Sequence, residues 1–272
     1  MGLTSTSAVP GTPVLELSNL RVSRGGRTIV KDVDLVINEG EFLGLVGPNG
    51  SGKTSMMLAI LGILKSSRGS IKIYGKSNKS RDIIGKIAWV SQAAANLPKN
   101  VKVTVRELIS LGSVNERNML LPLNKNAREK VEDIIEMVGL KDCASSDVGS
   151  LSGGQKQRAV IGRALASNAE FILLDEPLVG IDRDARNSLL KLLDNLCHEQ
   201  NKTVMMISHD LTAIQQTAHR VIYLEETIRF DGTPSEFPDL ASLAGLRGIK
   251  QVHEHGHSHH HHDSNCDHEE EG

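Results

Sequence analysis

Aromatic residues are few in this chain: four Phe, two Tyr and one Trp in 272 residues. No ladder of rings interleaved with basic residues can be drawn, which argues against a nucleic-acid groove built on base stacking. Cysteine is as sparse. Cys143, Cys197 and Cys266 have no C-x-x-C spacing, and an odd count fits reduced thiols, so no disulfide is expected. Apolar runs reach only about nine residues, against the roughly twenty needed to cross a bilayer, so the chain is not expected to span a membrane. Residues 1–7 have no charged start leading into an apolar stretch, so no secretory signal is expected. A strong net charge is missing too, at −2 overall. The last twenty residues hold six acids and no Lys or Arg, so the body before them carries a mild excess of 31 basic over 27 acidic residues. That excess neither demands nor excludes nucleic acid, and with so few rings no nucleic-acid partner is expected.

Glycine, by contrast, is concentrated in two telling segments. In the first, Gly47, Pro48, Asn49, Gly50, Ser51, Gly52, Lys53 and Thr54 fit G-x-x-x-x-G-K-[ST]. The glycines let the backbone curl closely around α- and β-phosphates, and the helix that follows points its positive end at them. Lys53 then reaches the β- and γ-phosphates of ATP, and Thr54 coordinates Mg²⁺. An apolar run at 41–46 leads in and a helix-compatible run at 56–61 leads out, which is the strand–loop–helix context the motif requires. The second segment, Leu151, Ser152, Gly153, Gly154 and Gln155, can also present backbone N–H groups to phosphate.

Residues 171–174 form a continuous apolar run that ends in Asp175 and Glu176. This is the pattern of a buried parallel strand delivering acids to its C-terminal edge. Asp175 is expected to hold Mg²⁺ through water. Glu176 is expected to orient the attacking water or take its proton. Pro177 follows the acids, so the next helix is expected to start at Asp182. A second buried run, 203–208, ends in His209, a donor expected to reach the same γ-phosphate.

A coarse reading gives strands near 15–20, 28–35, 41–46, 70–74, 86–91, 171–175, 203–208, 221–224 and 227–230, completing a mixed α/β sheet. A turn at Asp231 and Gly232 closes the series. Between 101 and 148 the pattern is helical: Thr104 opens a capped helix, and Val131, Ile134, Ile135 and Val138 fall at helical spacing.

In this order the phosphate loop, Gln92, Leu151–Gln155, Asp175–Glu176, Asp182 and His209 resemble the ATP-binding-cassette ATPases, over about residues 14–235. The resemblance implies an α/β P-loop NTPase core at 14–92 and 151–235, a helical subdomain at 93–150, a linker at 236–252 and a tail at 253–272. It implies that Gln92 contacts Mg²⁺ and senses a membrane subunit, whose coupling helix docks in a groove beside it. Ser152 and Gly154 would touch the γ-phosphate held by the opposite subunit, and Asp182 would end the loop that crosses the interface. Two chains would sandwich two ATP molecules head to tail. The chain departs from the family pattern twice. Arg24 stands where an aromatic ring usually stacks on adenine; a guanidinium plane can stack on a base, or Arg24 is a solvated charge. Val179 stands where the interface loop usually begins with a small hydroxyl residue, which removes any side-chain hydrogen bond there.

Eight of the eleven histidines fall in the last twenty residues: His253, His255, His257, His259, His260, His261, His262 and His268. Only four are consecutive, and Glu, Gly, Ser, Asp and Cys266 separate the rest, unlike a purification tag. Imidazole suits Zn²⁺, Ni²⁺ and Cu²⁺. With almost no apolar residues the tail is expected to be disordered without metal, and to bind zinc as a regulatory segment or only adventitiously. Imidazole-rich, thiolate-poor ligands point to zinc more than to manganese, which prefers oxygen donors. The expected function is therefore the ATPase subunit of a zinc importer, cytoplasmic and peripheral on the inner face of the cell membrane. Its expected partners are an integral membrane permease, a second copy of the chain and, indirectly, an extracytoplasmic metal-binding protein. Manganese, nickel or cobalt uptake remains open. So does a non-transport role, as a soluble cassette ATPase or a metal-storage protein or metallochaperone. Against the first, no second cassette and no long coiled-coil insertion is visible.

Overall fold

A computed structural model describes residues 11–96, 102–114 and 124–238. Contacts divide the chain into two units, the first of which ends at Phe237. The tail and the linker from 239 onward lie outside the described residues.

β1 (Pro13–Arg24) and β2 (Arg27–Asn38) pair antiparallel around Gly25 and Gly26, whose φ values of +58 and +77 make the tight reversal. Val33, Leu35 and Ile37 of β2 are buried while Asp32, Asp34 and Val36 are exposed, the alternation of a strand with one wet face. β4 (Arg68–Ile73) and β5 (Lys76–Ser77) complete this sheet in the order β2-β1-β4-β5. β3 (Phe42–Val46), β7 (Phe171–Asp175) and β8 (Thr203–Ile207) have a different texture, with every residue buried. With β6 (Ile87–Val90), β9 (Arg220–Glu225) and β10 (Thr227–Gly232) they make a second sheet, order β10-β9-β3-β8-β7-β6, parallel except at β10. The one mixed sheet expected from the sequence is thus two. Strands with a wet face make up the first sheet, while the three fully buried strands take the interior of the second, with the partly exposed β6 and β10 at its edges.

α1 (Lys53–Ile60) serves both sheets. Its Met56, Met57 and Ile60 share one core cluster with Leu15, Val22 and Leu35 of the first sheet and Leu43, Leu45 and Met205 of the second. Each fully buried side chain of this size contributes about 1.5–3 kcal/mol.

The expected turn at Asp231 and Gly232 is strand instead. β10 runs through both residues, and Asp231 accepts two hydrogen bonds from the Arg220 guanidinium on β9, at 2.5 and 2.6 Å. A long-range ion pair overrides the local turn preference of Asp-Gly. The chain reverses five residues earlier, at Glu226 with φ +61. Phe237 then packs against Tyr223 and Phe230, carrying the compact unit two residues past the expected boundary at 235.

The helical region holds α2 (Val105–Ser110) and α3 (Lys125–Met137). Thr104 and Glu107 form the capping box expected for α2. Val131, Ile134, Ile135 and Val138 are buried. α4 (Gly153–Ala166) packs against both helices and against the turn that follows α2, where a Cβ on Gly112 would sit 1.9 Å from the Arg163 carbonyl oxygen.

Candidate active site

Parallel register brings the ends of four strands level. Ile207 at the end of β8 pairs with Leu45 of β3 on one side and Asp175 of β7 on the other, and Val90 of β6 pairs with Leu174. The residues that follow, the 47–54 loop, Gln92, Glu176 and His209, therefore emerge at one sheet edge, where open parallel sheets bind ligands. Asn49 to Thr54 of that loop, Gln92, Glu176 and His209 line a cavity of about 730 Å³ together with Arg24, Ile29, Asp175 and Val179.

The loop owes its shape to three glycines. Gly47 has φ +150, and a Cβ there would lie 2.1 Å from the Leu224 carbonyl oxygen on β9. Gly50 and Gly52 have φ of +80 and +103. Gly52 caps α1 with no side-chain hydrogen bond, and no acid sits in the first turn, so the positive end of the helix is left for an anionic ligand. The Ser51 hydroxyl is buried with no hydrogen-bond partner among the described residues. Lys53 is 7 % exposed and donates from Nζ to the carbonyl oxygens of Gly47 and Pro48 at 2.8 and 3.0 Å. Burial pushes its ammonium below the usual lysine value, against the pull of the Glu176 and Asp175 charges.

Thr54 Oγ1 donates to Asp175 Oδ1 at 3.4 Å. Burial and then the neighbouring Glu176 charge raise the Asp175 pKa, while Thr54 and Lys53 oppose the rise. Glu176 adopts φ +52, unusual for a residue with a side chain, and its N–H donates to the Ile207 carbonyl at 3.0 Å. Its Oε2 meets His209 twice, accepting from the backbone N–H at 3.3 Å and lying 2.7 Å from Nδ1. An orphan hydroxyl, an uncapped helix end and a buried ammonium fit a phosphate chain. A hydroxyl beside a buried carboxylate fits a hard divalent cation such as Mg²⁺.

The structure draws together Arg24, Asn49 to Thr54, Gln92, Asp175, Glu176 and His209 around the cavity; Gly47 and Pro48 do not line it, and their carbonyl oxygens accept from Lys53 Nζ. Ser152, Gly153, Gly154 and Gln155 do not line this cavity; they form the N-terminus of α4, where Ser152 and Gln155 make a reciprocal capping box. Their glycines instead accommodate the segment after β7. A Cβ on Gly153 would lie 2.9 Å from the Gly180 carbonyl oxygen, and one on Gly154 2.4 Å from Ala185 Cβ. Asp182 caps α5 (Arg183–Gln200), and the bond it accepts from the Ala185 N–H holds its carboxyl below the usual range. Ile29 was not anticipated as a lining residue. The available signal was the adjacent Ile29-Val30 pair in β2, where alternation calls for one polar residue.

Away from the cavity, Asp194, His198 and His219 bring three ligand-type atoms within 4.8 Å of one another. His219 Nδ1 accepts the Phe42 N–H at 3.1 Å, so the neutral ring carries its proton on Nε2, which lies 3.3 Å from His198 Nε2. That tautomer turns a donor rather than a lone pair toward the cluster. A metal is poorly served there.

The sequence model for the ABC transporter family matches residues 30–179. The chain belongs to the ABC transporter family. Among curated relatives, the zinc uptake system ATP-binding protein ZurA of Listeria innocua is 33% identical over 224 residues, covering 82% of this chain and 87% of that protein. The manganese transport system ATP-binding protein MntB of Halalkalibacterium halodurans is 33% identical over 216 residues, covering 79% and 84%. Among solved structures, a dimeric post-hydrolysis ATP-binding cassette bound to ADP and Pi superposes with a TM-score of 0.68 at 30% identity, covering 82% of this chain and all of that one. The protein is thus an ABC ATPase, with ATP and Mg²⁺ as the ligands general to the family. No helix among its described residues is long and apolar enough to cross a membrane.

Proposed function

We propose that this ABC ATPase energises uptake of a divalent metal ion, zinc before manganese, as a head-to-tail dimer on a separate membrane permease at the cytoplasmic face. The observation that carries the enzymatic part is the convergence of Lys53, Thr54, Asp175, Glu176 and His209 on one cavity. In this reading the loop amides and Lys53 hold the β- and γ-phosphates, and Arg24 and Ile29 flank the base. Thr54, Asp175 and Gln92 hold Mg²⁺, which when bound supplies charge neutralisation at the phosphates. Glu176 takes the proton of the attacking water while His209 holds its carboxylate and reaches the γ-phosphate. Ser152, Gly153, Gly154, Gln155 and Asp182 complete the site of the second copy.

The metal is argued from two sides: zinc and manganese relatives at 33% identity, and the eight histidines of the tail. An extracytoplasmic metal-binding protein would deliver the ion to the permease. Purification from native membranes should bring down a multi-span membrane protein, and loss of the chain should reduce radioactive zinc accumulation more than manganese accumulation. Recovery of the chain without a membrane partner would overturn the transporter reading, and unchanged zinc uptake would overturn the zinc assignment. Truncation after Gln251 should leave basal ATPase activity intact and abolish any response to low Zn²⁺. Identical zinc responses in both forms would remove the tail from regulation.

A further inference from the structure

The ion pair between Arg186 and Asp210 lies outside every motif read from the sequence, yet it ties together the two chain segments that flank the cavity. Arg186 sits one turn into α5; its N–H donates to the Asp182 carbonyl at 2.9 Å, so its backbone is fixed to the end of the 177–182 segment. Its Nη1 donates to Asp210 Oδ2, while its Nε is buried without a partner among the described residues. Asp210 is the N-cap of α6 (Leu211–Thr217): Oδ1 accepts the Ala213 N–H at 3.0 Å, and its own N–H donates to Ser208 Oγ at 3.0 Å. The two carboxylate oxygens thus have separate duties, one for α6 and one for α5. His209 immediately precedes Asp210 and meets Glu176 Oε2 through its N–H and Nδ1.

These contacts close a ring. It runs from Glu176 along the chain to Asp182 and Arg186, across the ion pair to Asp210, back one residue to His209, and from His209 to Glu176. We propose that Arg186 and Asp210 are positioning residues that transmit the arrangement of the 177–182 segment to the His209–Glu176 pair, so that the ion pair sets the rate of hydrolysis and not ATP affinity. The inference rests on the role given to Glu176 under the proposed function. Neither residue of the pair lines the cavity, so direct contact with nucleotide is not invoked. As a simple stabilising contact the pair would be worth little, since solvent screens partly exposed ion pairs.

The test uses the full-length chain with its co-purifying membrane subunit, measuring kcat and KM for ATP together with the melting temperature. Arg186→Ala should lower kcat roughly 10–100-fold and change KM less than about threefold, the pattern of an interaction felt only in the transition state. Arg186→Lys should recover part of the loss, because its ammonium still reaches Asp210. Asp210→Asn keeps an Oδ1 acceptor for α6 and removes only the charge; it should match Arg186→Ala, and the double variant should be no slower than either single one. A kcat for Arg186→Ala within twofold of the parent, or single-variant losses that multiply, would overturn the proposal while leaving Glu176 in place. Parental turnover that survives Glu176→Gln would overturn both.

Discussion

His209 grips one oxygen of Glu176 from two directions, through its backbone N–H at 3.3 Å and its Nδ1 at 2.7 Å. The carboxylate is 13 % exposed and the imidazole 65 %, so the acid is held in the wall of the cavity by a ring that itself faces solvent. Replacing Glu176 by Gln preserves shape and hydrogen-bonding capacity but removes the proton acceptor. Turnover should fall roughly 10²–10⁴-fold with ATP affinity retained. Steady-state hydrolysis at the parental rate would rule out Glu176 as the base.

Arg24 ends β1 and lines the cavity with Ile29. Arg24→Ala should weaken ATP binding, measured by calorimetry, and Arg24→Tyr should restore or strengthen it, because a phenol offers a flat face to adenine at low entropic cost. Unchanged affinity in both variants would identify Arg24 as a solvated charge.

Gly47 and Gly50 separate two costs of adding a methyl group. Both have positive φ, but a Cβ meets the Leu224 carbonyl at Gly47 and nothing within 4 Å at Gly50. Gly50→Ala should lose about 1–2 kcal/mol from backbone strain alone. Gly47→Ala should lose more, because β9 must also give way. Urea denaturation without nucleotide distinguishes them, and equal midpoints would refute the steric argument.

Burial, and then the neighbouring His198, hold the His219 pKa below its ordinary 6.5; Asp194 and Glu41 pull the other way. A folded value below the unfolded one means that acid favours the unfolded chain. The contribution is fully present above about pH 6.5 and lost as pH falls toward the folded value. His219→Asn keeps an acceptor for the Phe42 N–H and removes the titration. Its melting temperature should drop less between pH 7.5 and 5.5 than that of the parent; parallel drops would show that His219 does not contribute.

What could be read in advance was local. The phosphate loop, the Asp175–Glu176 strand end and the cap at Thr104 each announce themselves within ten residues, because glycine placement, apolar runs and capping chemistry act at short range. The separation into two sheets was not legible, since it depends on how α1 shares its Met and Ile side chains between distant strands. Nor was the strand character of Asp231, which depends on Arg220 eleven residues away. The Arg186–Asp210 pair bridges 24 positions and has no motif of its own. The expected contacts of Ser152–Gln155 are with nucleotide held by a second copy of the chain, and in a single copy these residues lie away from the cavity.

β3 carries the phosphate loop at its end, yet its two neighbours in the sheet are β8 and β9, more than 150 residues later in the chain. During synthesis the loop sequence is finished after Thr54, while the strand beneath it waits for residues 203–225. At about 5–20 residues per second this interval is on the order of 10–30 s. Throughout that time Phe42, Leu43, Leu45 and Val46 have no sheet to join. The nucleotide site is therefore among the first features encoded and the last assembled, and a nascent chain released before Leu224 would carry the whole phosphate-loop motif without the strand that shapes it.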